Sequence, residues 1–336
     1  MALENAKQKG IKSYYGRIEY YRRGVERMQK AYLNALYELL KKDRNVCSLL
    51  SDSGTEYDEL MFREFPDQCF NFGIAEQNKV GAASGMAAIG KIPFVYTTGA
   101  FLAYRSYEFI RDDICLQNRN VKIIGMGSGM SWCTLGPSHH TTEDISALRA
   151  IPNLTILSPG SPLEVTKCVL ASYEFKGPVY IRTGMSNETE IYKEDYKYII
   201  GENITIYNGN DIAILSTGSV ISEALMAAEM IRNEGISVRF INVHTLKPFD
   251  SASIINLPKS IKYIFTVEEH NILGGLGSIV SEVIAENGLN YKIVRIGLND
   301  CFATGYGTHF DMLKMNGLDS LSIYDKIKDV LIKRGK

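Results

Sequence analysis

Apolar positions along this 336-residue chain fall in short runs separated by longer amphipathic stretches, and the alternation repeats from about residue 24 nearly to the C-terminus. From Gly24 to Lys42, the residues Met28, Tyr32, Leu33, Ala35, Leu36, Leu39 and Leu40 recur near helical spacing, which predicts a helix with one buried face. Asn45 to Leu50 reads as a short strand, with a turn at Ser51 to Gly54. The same reading predicts helices over 75–89, 101–117 and 142–150, strands over 92–96, 121–124, 154–157 and 179–182, and a glycine-rich loop over 125–136. After a hydrophilic stretch, strands are predicted over 211–216, 237–243, 263–267 and 291–296, with helices over 219–233 and 275–287. Strands separated by helices predict an α/β fold of parallel or mixed sheets flanked by helices. The pattern divides into an N-terminal arm (1–23), a first domain (24–190), a linker (191–207) and a smaller second α/β domain (208–336).

Composition narrows the function classes. Lys+Arg 37 against Asp+Glu 38 leaves a net charge of -1, so no overall field favours nucleic acid or an anionic membrane. No apolar stretch approaches the ~20 residues that span a bilayer, and the polar opening Met1 to Gly10 lacks the apolar core of a signal peptide. A cytoplasmic protein is expected. The six cysteines, Cys47, Cys69, Cys115, Cys133, Cys168 and Cys301, form no C-x-x-C pair and read as buried or partly buried free thiols. The 75–89 helix is rich in Gly and Ala, which predicts close packing against another helix or a subunit.

Candidate chemistry is concentrated in the first domain. The glycine clusters at Gly125 to Gly129 and Gly274 to Gly277 lack the spacing of a phosphate-cradling loop and read as turns and helix starts. Glu76 opens the small-residue helix, where the dipole favours a carboxylate. Its apolar flanks allow a second role, sharing a proton with a buried heterocycle. Phe101, Tyr104 and Tyr107 recur every three residues, as either a core stripe or a stacking wall for a flat ring. His139 and His140 follow Gly136-Pro137-Ser138 in a loop, where one of the two is expected to be functional.

Taken in order, Gly73-Ile74-Ala75-Glu76-Gln77, Tyr96-Thr97-Thr98, Phe101-Leu102 with Tyr104 and Tyr107, and Gly136-Pro137-Ser138-His139 resemble the pyrimidine-binding domain of transketolases. Ala213 to Ser219, Asn242 to Asp250 and Val267-Glu268-Glu269-His270 resemble that family's C-terminal domain. The resemblance implies thiamine diphosphate as cofactor and transfer of a two-carbon ketol unit from a ketose to an aldose. It implies that Glu76 hydrogen-bonds the aminopyrimidine, that Phe101, Tyr104 and Tyr107 line its pocket, and that His139 faces the reacting oxygens of the sugar. Arg182 matches the arginine at the anionic end of a sugar phosphate, Arg27 a position near that anion, and Asp52 a position near the cofactor.

No Gly-Asp-Gly occurs in the sequence, whereas the family's diphosphate-binding domain carries one. The resemblance therefore implies the C-terminal subunit of a split transketolase. A separate N-terminal subunit would hold the diphosphate and its magnesium or calcium ion, in an assembly with two copies of each chain. Leu135 stands where the family usually has Asp, and the histidine expected about a dozen residues before His139 is absent, so a deoxy, branched or sulfonated sugar is a plausible substrate. Rival readings are the beta subunit of a 2-oxoacid dehydrogenase, a 1-deoxyxylulose-5-phosphate synthase-like enzyme, and a non-catalytic assembly or regulatory subunit.

Overall fold

The computed structural model describes residues 26–51, 56–185, 187–192 and 195–334. The 1–23 arm and Asp52 lie outside the described residues. The first sheet contains β1 (Val46–Leu50), β2 (Cys69–Asn71), β3 (Ile92–Thr98), β4 (Lys122–Met126), β5 (Thr155–Leu157) and β6 (Val179–Thr183). The second contains β7 (Ile204–Tyr207), β8 (Ile212–Thr217), β9 (Val238–Asn242), β11 (Tyr263–Asn271) and β12 (Lys292–Leu298). A further strand, β10 (Thr245–Lys247), leaves the second domain and pairs antiparallel with β5. The sheet orders are β10-β5-β6-β4-β3-β1-β2 and β12-β11-β8-β9-β7, parallel except for β10 and β7. The expected α/β architecture of parallel or mixed sheets flanked by helices is present.

The elements follow their local chemistry. Helix α1 (Met28–Lys42) buries Met28, Tyr32, Leu33, Leu36, Leu39 and Leu40 on one face. Helix α2 (Glu56–Glu64) precedes β2, and α3 (Glu76–Ala88) follows it. Gly81 of α3 faces Phe109 and Asp113, with room for an ordinary Cβ contact at 3.8 Å, and Ser84 Oγ donates to the Asp113 carbonyl at 2.6 Å, so this face packs within the domain. Helix α4 (Asp144–Arg149) follows the loop after β4. Helix α5 (Pro162–Glu174), whose buried face mixes Val165 and Val169 with Glu164, Cys168 and Ser172, starts with Ser161 accepting the Glu164 N–H and Pro162 in the first turn.

Two expectations change. The 101–117 helix has wide turns at Phe101–Arg105 and Ile110–Leu116, with a break at Ser106. Residues three apart therefore do not share one face: Tyr104 is 38% exposed, whereas Tyr107 packs on the core. The stretch expected as a linker ends in β7, an edge strand of the second sheet. Among the cysteines, Cys301 is exposed and the others are buried or partly buried.

The two domains interlock. One apolar cluster joins Val95 and Ile123 of the first sheet to Ala213, Leu215 and Ile264 of the second. Lys247 Nζ, carried over on β10, donates to the carbonyls of Arg149 and Ile151 at the end of α4, where a cation is favoured by the helix dipole.

Candidate active site

Parallel strands deliver the loops at their carboxyl ends to one edge of a sheet, the usual place for a ligand in such folds. Here those loops carry Glu76 after β2, Phe101 and Tyr104 after β3, and His139 after β4. The structure brings Glu76, Phe101 and His139 into one chain of contacts. Arg105 Nη1 lies 3.5 Å from Glu76 Oε2, and its guanidinium sits 3.9 Å from the centre of the Phe101 ring. Phe101 meets the His139 ring edge-on at 4.9 Å. Ser138 Oγ lies 2.9 Å from His139 Nδ1, and the Trp132 ring is 6.3 Å from His139 on another side.

Glu76 occupies the first position of α3, and its side chain is 4% exposed, with Arg105 46% exposed beside it. One turn further along α3, Lys79 is fully buried, and its Nζ donates to the Tyr96 carbonyl at 3.0 Å. Burial pushes the Lys79 ammonium down to about 7, against the upward pull of Glu76. Tyr104 donates to Glu143 Oε2 at 2.9 Å and accepts the Glu143 N–H at 3.0 Å. Burial, then the nearby Asp144 and Glu143 carboxylates, raise its pKa, so it stays a phenol. Leu135 is 49% exposed on the loop that carries His139.

Other expected site residues lie elsewhere. Tyr107 packs against the core. Arg27 is placed by its backbone in a two-residue ladder with Asn187. Arg182 is 1% exposed, and its donors are turned inward: Nε to Asp144 Oδ2 at 2.9 Å, Nη2 to the Thr141 carbonyl at 3.3 Å and Nη1 to Ser158 Oγ at 3.5 Å. Of the two loop histidines, His140 is the buried one at 3% exposure, with its pKa pushed down by burial. Arg105 and Lys79 are the residues that sequence reasoning missed. A cation four positions after Phe101 was the available signal for Arg105, whereas a lysine inside a helix gave none for Lys79.

Behind the loops, the domain boundary is lined by buried charge. Tyr180 donates to Asp144 Oδ2 at 2.8 Å beside Arg182, and His270 Nε2 lies 3.9 Å from Asp144 Oδ1. Glu268 accepts the N–H groups of Leu276 and Gly277 at 2.7 and 2.9 Å, at the start of helix α6 (Leu276–Glu286). Glu269 accepts from Met130 N at 2.5 Å, Ser219 Oγ at 2.7 Å and His309 Nε2 at 2.8 Å.

Comparison with known proteins accounts for this arrangement. Residues 26–189 match the family model "Transketolase, pyrimidine binding domain", and residues 201–323 match "Transketolase, C-terminal domain". The chain is 39% identical over 309 residues to a "Putative transketolase C-terminal section" from Methanocaldococcus jannaschii, covering 91% of this chain and 96% of that protein. It is 38% identical over 263 residues to one of the subunits of an apulose-4-phosphate transketolase from Actinobacillus succinogenes, covering 78% of this chain and 85% of that protein. A solved structure titled "Split gene transketolase, inactive beta4 tetramer" superposes with a TM-score of 0.83 at 34% identity, covering 91% of this chain and 98% of that one. The family's cofactor is thiamine diphosphate, and its chemistry is ketol transfer. With its site built on the loops of a pyrimidine-binding domain and backed by a C-terminal domain, the chain belongs to the transketolase family, as a C-terminal section.

Proposed function

We propose that this chain supplies the pyrimidine-binding half of a two-subunit transketolase site, working in the cytoplasm with a separate N-terminal subunit. The contact chain Glu76, Arg105, Phe101, His139 along one sheet edge carries the reading. Its residues suit an aminopyrimidine: a nearly buried carboxylate with one long contact of 3.5 Å, and beside it partly open aromatic rings. When bound, thiamine diphosphate supplies the carbon nucleophile of ketol transfer.

Glu76 accepts a hydrogen bond from the pyrimidine ring and holds or returns its proton. Arg105 aims the carboxylate from 3.5 Å, while stacking on Phe101. Phe101 and Tyr104 form the wall beside the ring, and the Glu143 contacts of Tyr104 fix its hydroxyl. His139, braced by Ser138, faces the oxygens of the sugar. Arg182 acts from inside, by clamping Asp144 and the Thr141 carbonyl beneath the His139 loop. Arg27 and Asp52 are assigned to the substrate anion and the cofactor on the resemblance alone.

The diphosphate and its magnesium or calcium ion fall to the N-terminal subunit, in keeping with a sequence that has no Gly-Asp-Gly. Two copies of each chain form the working assembly. The solved relative described as a beta4 tetramer supports self-association of chains of this type. Leu135 makes the acceptor wall less polar than an aspartate would, which favours a sugar lacking the hydroxyl that an aspartate would bind.

The test is reconstitution with the N-terminal subunit, magnesium and thiamine diphosphate, assayed with a panel of ketose donors. Glu76→Ala should assemble normally and lose turnover by about 10²- to 10⁴-fold, the usual value of a placed proton-transfer group. Undiminished turnover, or 2-oxoacid decarboxylation with no ketose cleavage, overturns the reading.

A further inference from the structure

We propose that Glu269, in the C-terminal domain, is a positioning residue for the loop that presents His139. The inference rests on the role of His139 given above and extends it to a domain with no residue in the contact chain of the site.

The His139 loop leaves β4 and closes on itself at its stem. Gly129 and Thr141 form an antiparallel bridge, with N–H to carbonyl distances of 2.9 and 2.8 Å, so residues 130–140 project beyond it. Met130, just past the stem, is held twice by the second domain. Its N–H donates to Glu269 Oε1 at 2.5 Å, and its fully buried side chain lies in the second domain's core cluster with Ile214, Phe240 and Phe265.

Glu269 is itself held in place. It is 1% exposed, and its oxygens also accept from Ser219 Oγ at the start of the β8 crossover and from His309 Nε2 at the start of helix α7 (His309–Met315). Burial works against its charge, but His309 and these donors outweigh it and hold the carboxyl below its usual range. The loop backbone rests directly on this group: a Cβ built on Gly129, at φ +63°, would stand 2.3 Å from Glu269 Cδ. Only glycine combines that backbone angle with so close an approach.

A shift at the stem has a short route to the site. Trp132 sits on Gly127, where a Cβ would meet its Nε1 at 2.2 Å, and its ring is 6.3 Å from His139. His139 in turn meets Phe101 at 4.9 Å. The hydrogen bonds of Glu269 go to Met130, Ser219 and His309, so its effect on the loop passes through Met130 and Gly129.

Trp132 is the chain's single tryptophan, so intrinsic fluorescence of the full-length protein reports on this loop without any activity. Glu269→Ala should leave far-UV circular dichroism intact while Trp132 emission shifts to the red and acrylamide quenches it more strongly. In the reconstituted complex, kcat should fall about 10- to 100-fold with the donor KM little changed, as expected for a misplaced group. Glu269→Gln keeps an oxygen for the Met130 N–H and should recover most of both effects.

An unchanged Trp132 in folded Glu269→Ala, or Glu269→Gln as damaged as Glu269→Ala, overturns the proposal. Should Glu269→Ala not fold, amide exchange in the wild-type chain decides: a protected Met130 N–H supports the anchor, and exchange at the rate of an open loop overturns it. Absence of turnover in the wild-type complex would instead count against the transketolase reading, leaving the fluorescence and exchange results to judge the loop.

Discussion

Glu76 and Asp144 are both carboxylates at the first position of a helix, both nearly buried, and both facing an arginine. Their surroundings differ. Asp144 meets Arg182 at 2.9 Å with both side chains at most 1% exposed, and Tyr180 donates to the same oxygen at 2.8 Å. Glu76 meets Arg105 at 3.5 Å, and that arginine is half in water. The same pairing of a carboxylate with an arginine thus makes a framework joint in one place and an open binding edge in the other. The difference lies in how many internal donors each carboxylate has and how much water its partner keeps. Burying an ion pair is tolerable when geometry and added hydrogen bonds offset desolvation. A carboxylate with one long contact retains the capacity to bind a ligand.

The largest effect expected from this contrast is on stability. Arg182→Met strands Asp144 in the interior and should cost about 3–5 kcal/mol in urea unfolding. Arg105→Ala, which loses a half-exposed partner, should cost less than about 1 kcal/mol and act instead on cofactor affinity. Equal losses from the two substitutions would erase the distinction.

Acid should attack the sealed region next. Burial pushes His244 and His270 down to about 4. Their unfolded forms take up protons near 6.5 while the folded forms do not, so stability is full above pH 6.5 and lost as pH falls towards 4. Glu268 has the opposite sign: burial raises it to about 7, so it holds a folded-state proton between 4.5 and 7 and offsets one histidine. For these three groups taken alone, two histidines against one glutamate, the contribution lost from pH 6.5 to 4.5 is about 3 kcal/mol, from 1.36 kcal/mol per unit. Urea midpoints across that range should show the loss, and His270→Gln should flatten it; an equally steep limb in the variant would remove His270 from the account.

The smallest effect concerns the open edge. Leu135→Asp should improve kcat/KM for ordinary aldose phosphates over the native acceptor by roughly 10-fold, the scale of a single altered pocket contact. Unchanged or worse selectivity would show that Leu135 does not line the acceptor site.

Much of this was legible in the chain. The alternation of apolar runs and amphipathic stretches located most strands and helices, since burial on one face imposes a period that local sequence records. Glu76, Phe101 and His139, named from their motifs, lie in one chain of contacts through Arg105, and Tyr104 bonds Glu143. Less legible were α5, whose buried face mixes Val165 and Val169 with Glu164, Cys168 and Ser172, and β7, an edge strand whose positions are part-buried or exposed and read as a polar connection. The spacing of Phe101, Tyr104 and Tyr107 left a core stripe and a stacking wall both open, and the wide turns of the helix set Tyr107 against the core.

The sequence by itself determined the α/β alternation, the two domains and the family, because periodicity and ordered motifs are local properties. Only the tertiary structure decided which charged groups became partners. Glu76 and Arg105 are 29 positions apart, Asp144 and Arg182 are 38 apart, and Met130 and Glu269 are 139 apart. No local pattern encodes such pairings, and each depends on burial that arises only when the sheets and loops have packed. That is why Arg182, a plausible anion binder in the sequence, became an internal clamp, and why a glutamate of the second domain came to hold a loop of the first.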